Sequence, residues 1–183
     1  MKNSIYYFVL CLSAIIIGAC VAPETKRELI NNDFVSNNPA LKINFKKKII
    51  DFEEKDLKYW FDLGGGSFVT AEIHKGQHST TIDYYYSLET IVKSLGDTIY
   101  VGPSLINGHE WARYAHIRDS KLVVGYLTRK GNDFVDIYTY LQVSESLNIS
   151  YKKYQKTLIV TDDIKSEIDK YFKDFDGLIE IVY

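Results

Sequence analysis

Three stretches in which hydrophobic and polar residues alternate follow one another between residues 109 and 143. The stretches are His109–Arg118, Lys121–Lys130 and residues 133–143, and the two-residue turns Asp119-Ser120 and Gly131-Asn132 separate them. A period of two with short turns that tolerate positive φ predicts an antiparallel β-meander. In the third stretch, one face carries four aliphatic side chains, and the other carries Phe134, Asp136, Tyr138 and Tyr140. This second face is aromatic, so it is either covered by a helix or used for contact.

Two other segments have the spacing of amphipathic helices. In residues 162–176 an apolar stripe is formed by Ile164, Ile168, Tyr171, Phe172 and Phe175. Thr161 can cap the start of this helix, and Gly177 can close its end. Residues 87–95 predict a shorter helix with Ser87 as its N-cap, and residues 178–183 then predict a final strand.

The remaining strand predictions lie before these elements, at residues 42–51, 56–63 and 67–74. No internal repeat and no second domain are apparent. The sequence therefore predicts an α+β fold in which an antiparallel sheet packs with two short helices, as a single domain over residues 42–183. Residues 20–41 are rich in proline and asparagine, and we expect them to form a tether.

The first 19 residues have the pattern of an export signal. Lys2 precedes an apolar run over residues 5–17, which is too short to span about 30 Å of hydrocarbon but suits a signal sequence. The following residues, Ile17-Gly18-Ala19-Cys20, resemble the lipobox of bacterial lipoproteins. The resemblance implies that the Cys20 thiol receives a diacylglyceryl group and that a signal peptidase cuts between Ala19 and Cys20. An ordinary secretory signal and a short membrane anchor are the alternatives.

The resemblance also implies a location. A lipid on Cys20 would hold the domain at the cell membrane or the outer membrane, outside the cytoplasm. Val21 follows the cysteine in place of the Asp associated with retention in the inner membrane, which favours the outer membrane where one exists. The lipid-bearing membrane is thus the first predicted partner.

Charge and cysteine content narrow the function classes. The chain has 22 basic and 24 acidic residues, and removal of residues 1–19 takes away only Lys2, leaving a net charge of 21 − 24 = −3. This balance does not suit a nucleic-acid partner, which requires a basic face. Cys11 leaves with the signal and Cys20 carries the lipid, so the mature domain has no thiol for a disulfide, for catalysis or for a metal.

Histidine residues offer two candidate chemistries. His74 and His78 have a spacing found in metal sites, but it places both on one face only in a helix, and this segment is predicted as a strand and a turn. We therefore predict no metal and no cofactor. His109, Glu110 and His116 could support proton transfer if they lay in a cleft. The simpler interpretation is an exposed polar strand face, and we predict no enzymatic activity.

Aromatic residues form the most suggestive set, because rings with polar tips stack on sugars and anchor protein interfaces. The alternative for the same residues is packing in the core. The candidate contact surface consists of Tyr84, Tyr85, Tyr86, Trp111, Tyr138 and Tyr140.

Three functional hypotheses follow. The favoured one is a membrane-anchored lipoprotein of the cell envelope that acts as a binding or structural module for a protein partner or a cell-wall glycan. The second is a periplasmic immunity or inhibitor protein directed against a toxin or hydrolase. The third is a hydrolase that uses His109, Glu110 or His116.

Overall fold

The computed structural model describes residues 27–30, 32–37, 39–75, 97–148 and 161–182. A small antiparallel sheet has the order β1-β2-β3-β11 and a large one the order β4-β5-β6-β10-β9-β8-β7. The small sheet contains β1 (Arg27–Ile30), β2 (Asp33–Asn37), β3 (Ala40–Phe45) and β11 (Ile179–Val182). The large sheet contains β4 (Asp51–Lys55), β5 (Lys58–Asp62), β6 (Phe68–His74), β7 (Asp97–Ile106), β8 (His109–Arg118), β9 (Lys121–Lys130) and β10 (Asp133–Gln142).

The described residues include two helical segments, α1, of which residues 145–148 are described, and α2 (Asp162–Asp176). The fold is thus α+β in one domain, as the sequence predicts. No helix within the described ranges is long and apolar enough to cross a membrane.

The predicted meander is confirmed as β8, β9 and β10. Asp119 and Ser120 both have positive φ, at 51° and 61°, and Gly131 has a φ of 62°. Left-handed conformations at these positions give the tight reversals that keep neighbouring strands in register. Continuous pairing runs from Asp133↔Lys130 to Gln142↔Lys121, which sets the two faces predicted from the alternation.

The predicted helix over residues 162–176 is also confirmed. Thr161 Oγ1 accepts a hydrogen bond from the Ile164 backbone N–H at its start, and the Gly177 N–H donates to the Lys173 carbonyl at its end. These bonds satisfy terminal backbone groups that the helix cannot satisfy internally. The buried stripe consists of Ile164, Ile168, Phe172 and Phe175.

The prediction of a tether over residues 20–41 is wrong from Arg27 onward, because β1 and β2 are strands of the small sheet. The domain therefore begins at least 15 residues earlier than the predicted start at residue 42. Asn32, which suggested a flexible linker, has a φ of 72° and forms the turn between β1 and β2. Asparagine tolerates this conformation better than most residues, so it marks a tight turn here.

Three other boundaries differ from the predictions. The predicted strand 42–51 is divided into β3 and β4 by a loop over residues 46–50. Strand β7 was not predicted, because Gly102 and Pro103 interrupt its pattern; β7 lies at an edge of the large sheet, where proline is tolerated. The predicted helix over residues 87–95 lies outside the described residues.

The main core lies between the small sheet, one face of the large sheet and α2. Phe34 and Phe45 of the small sheet contact Tyr59 and Phe61 of β5, with ring centroids 4.8 and 4.6 Å apart for Phe34–Tyr59 and Phe45–Phe61. Burial of such large side chains is the main stabilising contribution to a domain that has no disulfide. A second buried cluster lies on the opposite face of the large sheet, which we call the outer face. It contains Ala112, Tyr114, Val123, Leu127, Phe134 and Tyr138.

Candidate functional site

The outer face of the large sheet carries a row of polar and aromatic side chains across five strands. Strand pairing places Asp136 of β10 opposite Glu72 of β6, and Glu72 opposite Lys58 of β5. On the other side of β10, Tyr138 pairs with Gly125 of β9, and Gly125 pairs with Tyr114 of β8. Side chains at paired positions point to the same face, so this register gathers residues that are far apart in the sequence.

A buried hydrogen bond lies at the centre of this row. Tyr114 Oη donates to Asp136 Oδ1 at 2.7 Å, and both side chains are shielded from solvent. Burial raises the pKa of Asp136 to about 7, although the hydrogen bond from Tyr114 acts in the opposite direction. A carboxyl that titrates near neutral pH is a common property of general acids and bases. Asp136 is buried away from solvent, however, so the arrangement favours a structural role for this carboxyl group.

Gly125 makes this hydrogen bond possible. A Cβ atom at position 125 would lie 2.6 Å from Tyr114 Oη and 2.8 Å from Tyr138 Cβ. The Tyr114 ring therefore occupies the space above β9 that a side chain would otherwise fill. Absence of a side chain between two strands is thus what allows a residue of β8 to reach a residue of β10.

His116 extends the buried part of the outer face. Its side chain is 3% exposed, and its ring stacks on Tyr114 with centroids 5.7 Å apart and planes 10° apart. Neither ring nitrogen has a hydrogen-bond partner among the described residues. Burial, together with the charge of Arg118, lowers the pKa of His116 to about 4, so the imidazole is neutral at ordinary pH.

The part of the outer face over β5, β6 and the end of β10 is partly open to solvent. We call it the outer-face patch and define it as Lys58, Trp60, Glu72, Tyr138 and Tyr140. Lys58 Nζ lies 3.2 Å from Glu72 Oε2, 5.3 Å from the centre of the Trp60 ring and 5.6 Å from that of Tyr138. Tyr138 Oη donates to Glu72 Oε2 at 3.4 Å, and the Tyr138 and Tyr140 rings meet edge to face at 5.7 Å.

This arrangement combines aromatic surface with hydrogen-bonding groups of both kinds. The opposite charges of Lys58 and Glu72 balance each other, so the patch carries little net charge. Burial, followed by the neighbouring Tyr140, raises the pKa of Tyr138, so its hydroxyl stays protonated and can donate a hydrogen bond. Such a surface can stack against a sugar ring or accommodate a protein side chain.

The predicted contact surface is corrected in part. Trp111 is only 1% exposed and belongs to the main core, where it meets Tyr126 edge to face, so it cannot be a contact residue. Tyr138 is 6% exposed and contributes mainly by packing, whereas Tyr140 is half-buried. Tyr84, Tyr85 and Tyr86 lie outside the described residues.

The structure does not bring the candidate hydrolase residues together. His109 and Glu110 are exposed at the start of β8, whereas His116 is buried seven residues further along the same strand. Seven residues of strand correspond to about 23 Å. The interpretation of this strand face as exposed and polar is also wrong, because Tyr114 and His116 are both buried.

The residues of the outer-face patch that are not in the predicted contact surface are Lys58, Trp60 and Glu72. The only available signal was their position in alternating stretches, because their proximity to Tyr138 depends on the pairing of β5, β6 and β10. Within the described ranges, no three His, Cys, Asp or Glu side chains are grouped to hold a metal ion. His78, Ala19 and Cys20 lie outside these ranges.

No protein-family model matches the chain, and no curated protein sequence matches it.

Proposed function

We propose that the protein is a lipid-anchored binding module of the bacterial cell envelope, and that its outer-face patch contacts a protein partner or a cell-wall glycan. The single observation that carries the proposal is the position of the lipobox-type Cys20. Only six residues separate it from Arg27, the first residue of β1. A chain segment of this length reaches at most about 25 Å, so a lipid on Cys20 would keep the folded domain beside the membrane.

The chemistry of the outer face supports binding in preference to catalysis. The buried Asp136 and Tyr114 are bonded to each other, and the accessible Lys58 and Glu72 are paired. Among the described residues of the patch, Trp60 and Tyr140 are the partly exposed aromatic side chains, and both lie near the Lys58–Glu72 pair. Recognition through aromatic side chains flanked by polar groups is a common feature of binding surfaces.

The anchor is tested by metabolic labelling with palmitate. We expect label in the native chain and none in Cys20→Ala, which should also keep the signal segment. Absence of label from the native chain, or label that persists in Cys20→Ala, would refute the anchor.

The binding role is tested with Trp60→Ala, using Leu105→Ala as the control, because Leu105 is exposed on another part of the surface. Each lipidated variant is assayed by cross-linking in cells for a protein partner, and by co-sedimentation with purified cell wall for a glycan. Trp60→Ala should weaken binding about 30-fold in one of the two assays, as loss of a central aromatic contact does. Equal binding by the two variants in both assays would contradict the proposal.

A further inference from the structure

A surface groove lies between β1 and the loop that joins β3 to β4. We call it the tether-side groove. Two aliphatic side chains are unusually exposed there: Leu29 on β1 is 40% exposed, and Ile50 in the loop is 66% exposed. The groove is lined by Leu29, Asn32, Lys48, Ile49, Ile50, Asp51 and Phe52.

Hydrogen bonds fix the loop that presents these side chains. Asn32 Nδ2 donates to the carbonyls of Phe45 and Lys47 at 2.8 and 2.7 Å, and Asn32 Oδ1 accepts from the Ile49 N–H at 2.7 Å. The Ile50 N–H donates to the Asp62 carbonyl, also at 2.7 Å. The exposure of Ile50 is therefore imposed by a defined loop conformation, although an exposed aliphatic side chain is unfavourable in water.

Three consecutive lysines, Lys46, Lys47 and Lys48, precede the exposed isoleucine, and all three are exposed. The hydrogen bonds that the first two make go to uncharged groups, the carbonyl of Asp176 and the hydroxyl of Ser67, so their charge is not neutralised there. Asp51 is the acidic residue that lines the groove. A basic run beside exposed aliphatic side chains is typical of surfaces that rest on anionic lipid headgroups.

The groove also lies on the side of the domain where the tether arrives. Leu29 is two residues after the start of β1, and β1 is the edge strand of the small sheet. A lipid on Cys20 would hold this edge within about 25 Å of the bilayer. Even a weak contact then becomes effective, because the tether makes docking an intramolecular event.

We infer that the tether-side groove docks on the bilayer itself, with Leu29 and Ile50 at the headgroup level and Lys47 and Lys48 against anionic lipids. The inference rests on the proposed lipid anchor and adds an orientation to it. The domain would stand with β1 and the β3–β4 loop towards the membrane, and this orientation would be lost on a membrane without anionic lipid.

The test uses the lipidated protein in vesicles of neutral lipid with or without phosphatidylglycerol. Because the mature chain has no cysteine other than Cys20, an introduced cysteine is the only free thiol and can carry a fluorophore. One label is placed at Ile50→Cys and a second at Asn132→Cys, in the exposed turn before β10. The start of β10 pairs with the His74 end of β6. Ile50 lies near the other end of β6, because it bonds to Asp62, which pairs with Phe68. Quenching by brominated lipid then reports contact with the bilayer.

We expect strong quenching at position 50 on anionic vesicles and little at position 132. Lys47→Glu with Lys48→Glu should lower the docking equilibrium roughly 30-fold or more. The same charge reversal at the exposed helix positions Lys165 and Lys170 should leave docking unchanged. Circular dichroism of each variant verifies that it is folded.

The docking inference would be overturned by equal quenching at positions 50 and 132. It would also be overturned if quenching at position 50 were unchanged after the charges of Lys47 and Lys48 are reversed. Flotation of the same samples separates this result from failure of the anchor. If the protein floats with the vesicles but the two positions are quenched equally, the proposed anchor stands and the docking inference is refuted. Protein without lipid on Cys20 does not float, and this result would overturn both.

Discussion

Asp136 and His116 are buried on the same sheet face and have opposite effects on stability as pH changes. Burial raises the pKa of Asp136 from 3.8 to about 7, so the folded state holds a proton that the unfolded state releases. Its contribution to stability is full below about pH 4 and is lost as pH rises through 7. The pKa of His116 is lowered from 6.5 to about 4, so the contribution of this group grows as pH rises through the same range. Between about pH 4 and 6.5 the two effects nearly cancel.

Removing either group should therefore leave the pH dependence of the other group uncompensated. We expect Asp136→Asn, which keeps an acceptor for Tyr114, to gain about 3 kcal/mol in the free energy of unfolding between pH 4 and 6.5. His116→Phe, which can still stack on Tyr114, should lose about 4 kcal/mol between pH 4 and 8. Urea denaturation at a series of pH values measures both. Profiles parallel to that of the native chain would show that these groups are not buried in their neutral forms.

Gly125 allows a second prediction at a single position. We expect Gly125→Ala to lower the free energy of unfolding by about 3 kcal/mol, because the new methyl group would overlap both Tyr114 and Tyr138. In a Tyr114→Leu background, which removes the ring, the same substitution should cost less, because only the overlap with Tyr138 Cβ remains. A denaturant double-mutant cycle gives the coupling, and a coupling near zero would contradict the close approach of Tyr114 to β9.

The sequence pattern predicts which side chains of one strand share a face, but it does not predict which strands lie next to each other. Alternation along residues 133–143 puts Asp136 with Tyr138 and Tyr140, and alternation along β8 puts Tyr114 with His116. That Tyr114 reaches Asp136 depends on the register of three strands and on the missing side chain at Gly125 between them. Local patterns contain no information about such a contact, because it is set by tertiary pairing.

Predictions located the shorter strands β5, β6 and β11, and they were most accurate where a pattern persisted over ten or more residues with clear ends. Strands β8, β9 and β10 and helix α2 meet this condition, and Thr161 and Gly177 cap the helix as predicted. Strands β1 and β2 do not: they have four and five residues, and asparagines flank them. β1 pairs with β2, and β2 pairs with β3, so these strands depend on tertiary pairing that local propensity does not report.

The Asn32 side chain forms hydrogen bonds that hold the β1–β2 turn against the end of β3 and the loop that follows it. Asn32→Asp keeps the acceptor for the Ile49 N–H but loses both donor interactions, to Phe45 and Lys47. We expect it to cost about 2 kcal/mol, because two carbonyls lose their partners. Asn37→Asp, at an exposed position on β2, is the matched control and should cost less than about 0.5 kcal/mol. Thermal unfolding measures both variants, and equal costs would show that the Asn32 bonds do not stabilise the loop.

At the scale of the whole molecule, β11 completes the small sheet by pairing with β3, which lies far from it in the sequence. β11 pairs with β3 from Ile179↔Phe45 to Val182↔Lys42, and it buries Ile179 and Ile181 after Leu178. Removal of residues 178–183 takes away about 6 kcal/mol of apolar burial, which is comparable to the whole stability of a typical domain. We expect the truncated chain to lose cooperative unfolding in a calorimeter. Glu180→Ala, at an exposed position on the same strand, should unfold as the native chain does, and a cooperative transition in the truncated chain would refute this role of β11.

The same pairing has a consequence for how the chain is made. A ribosome releases β3 long before β11, and the 133 residues between them take roughly 7 to 27 s to synthesise. Throughout that interval one side of β3 has no neighbour to bond with, and unpaired strand edges are where nascent chains stick to one another. This edge of β3 is therefore a site at which nascent chains can aggregate until β11 is synthesised and pairs with it.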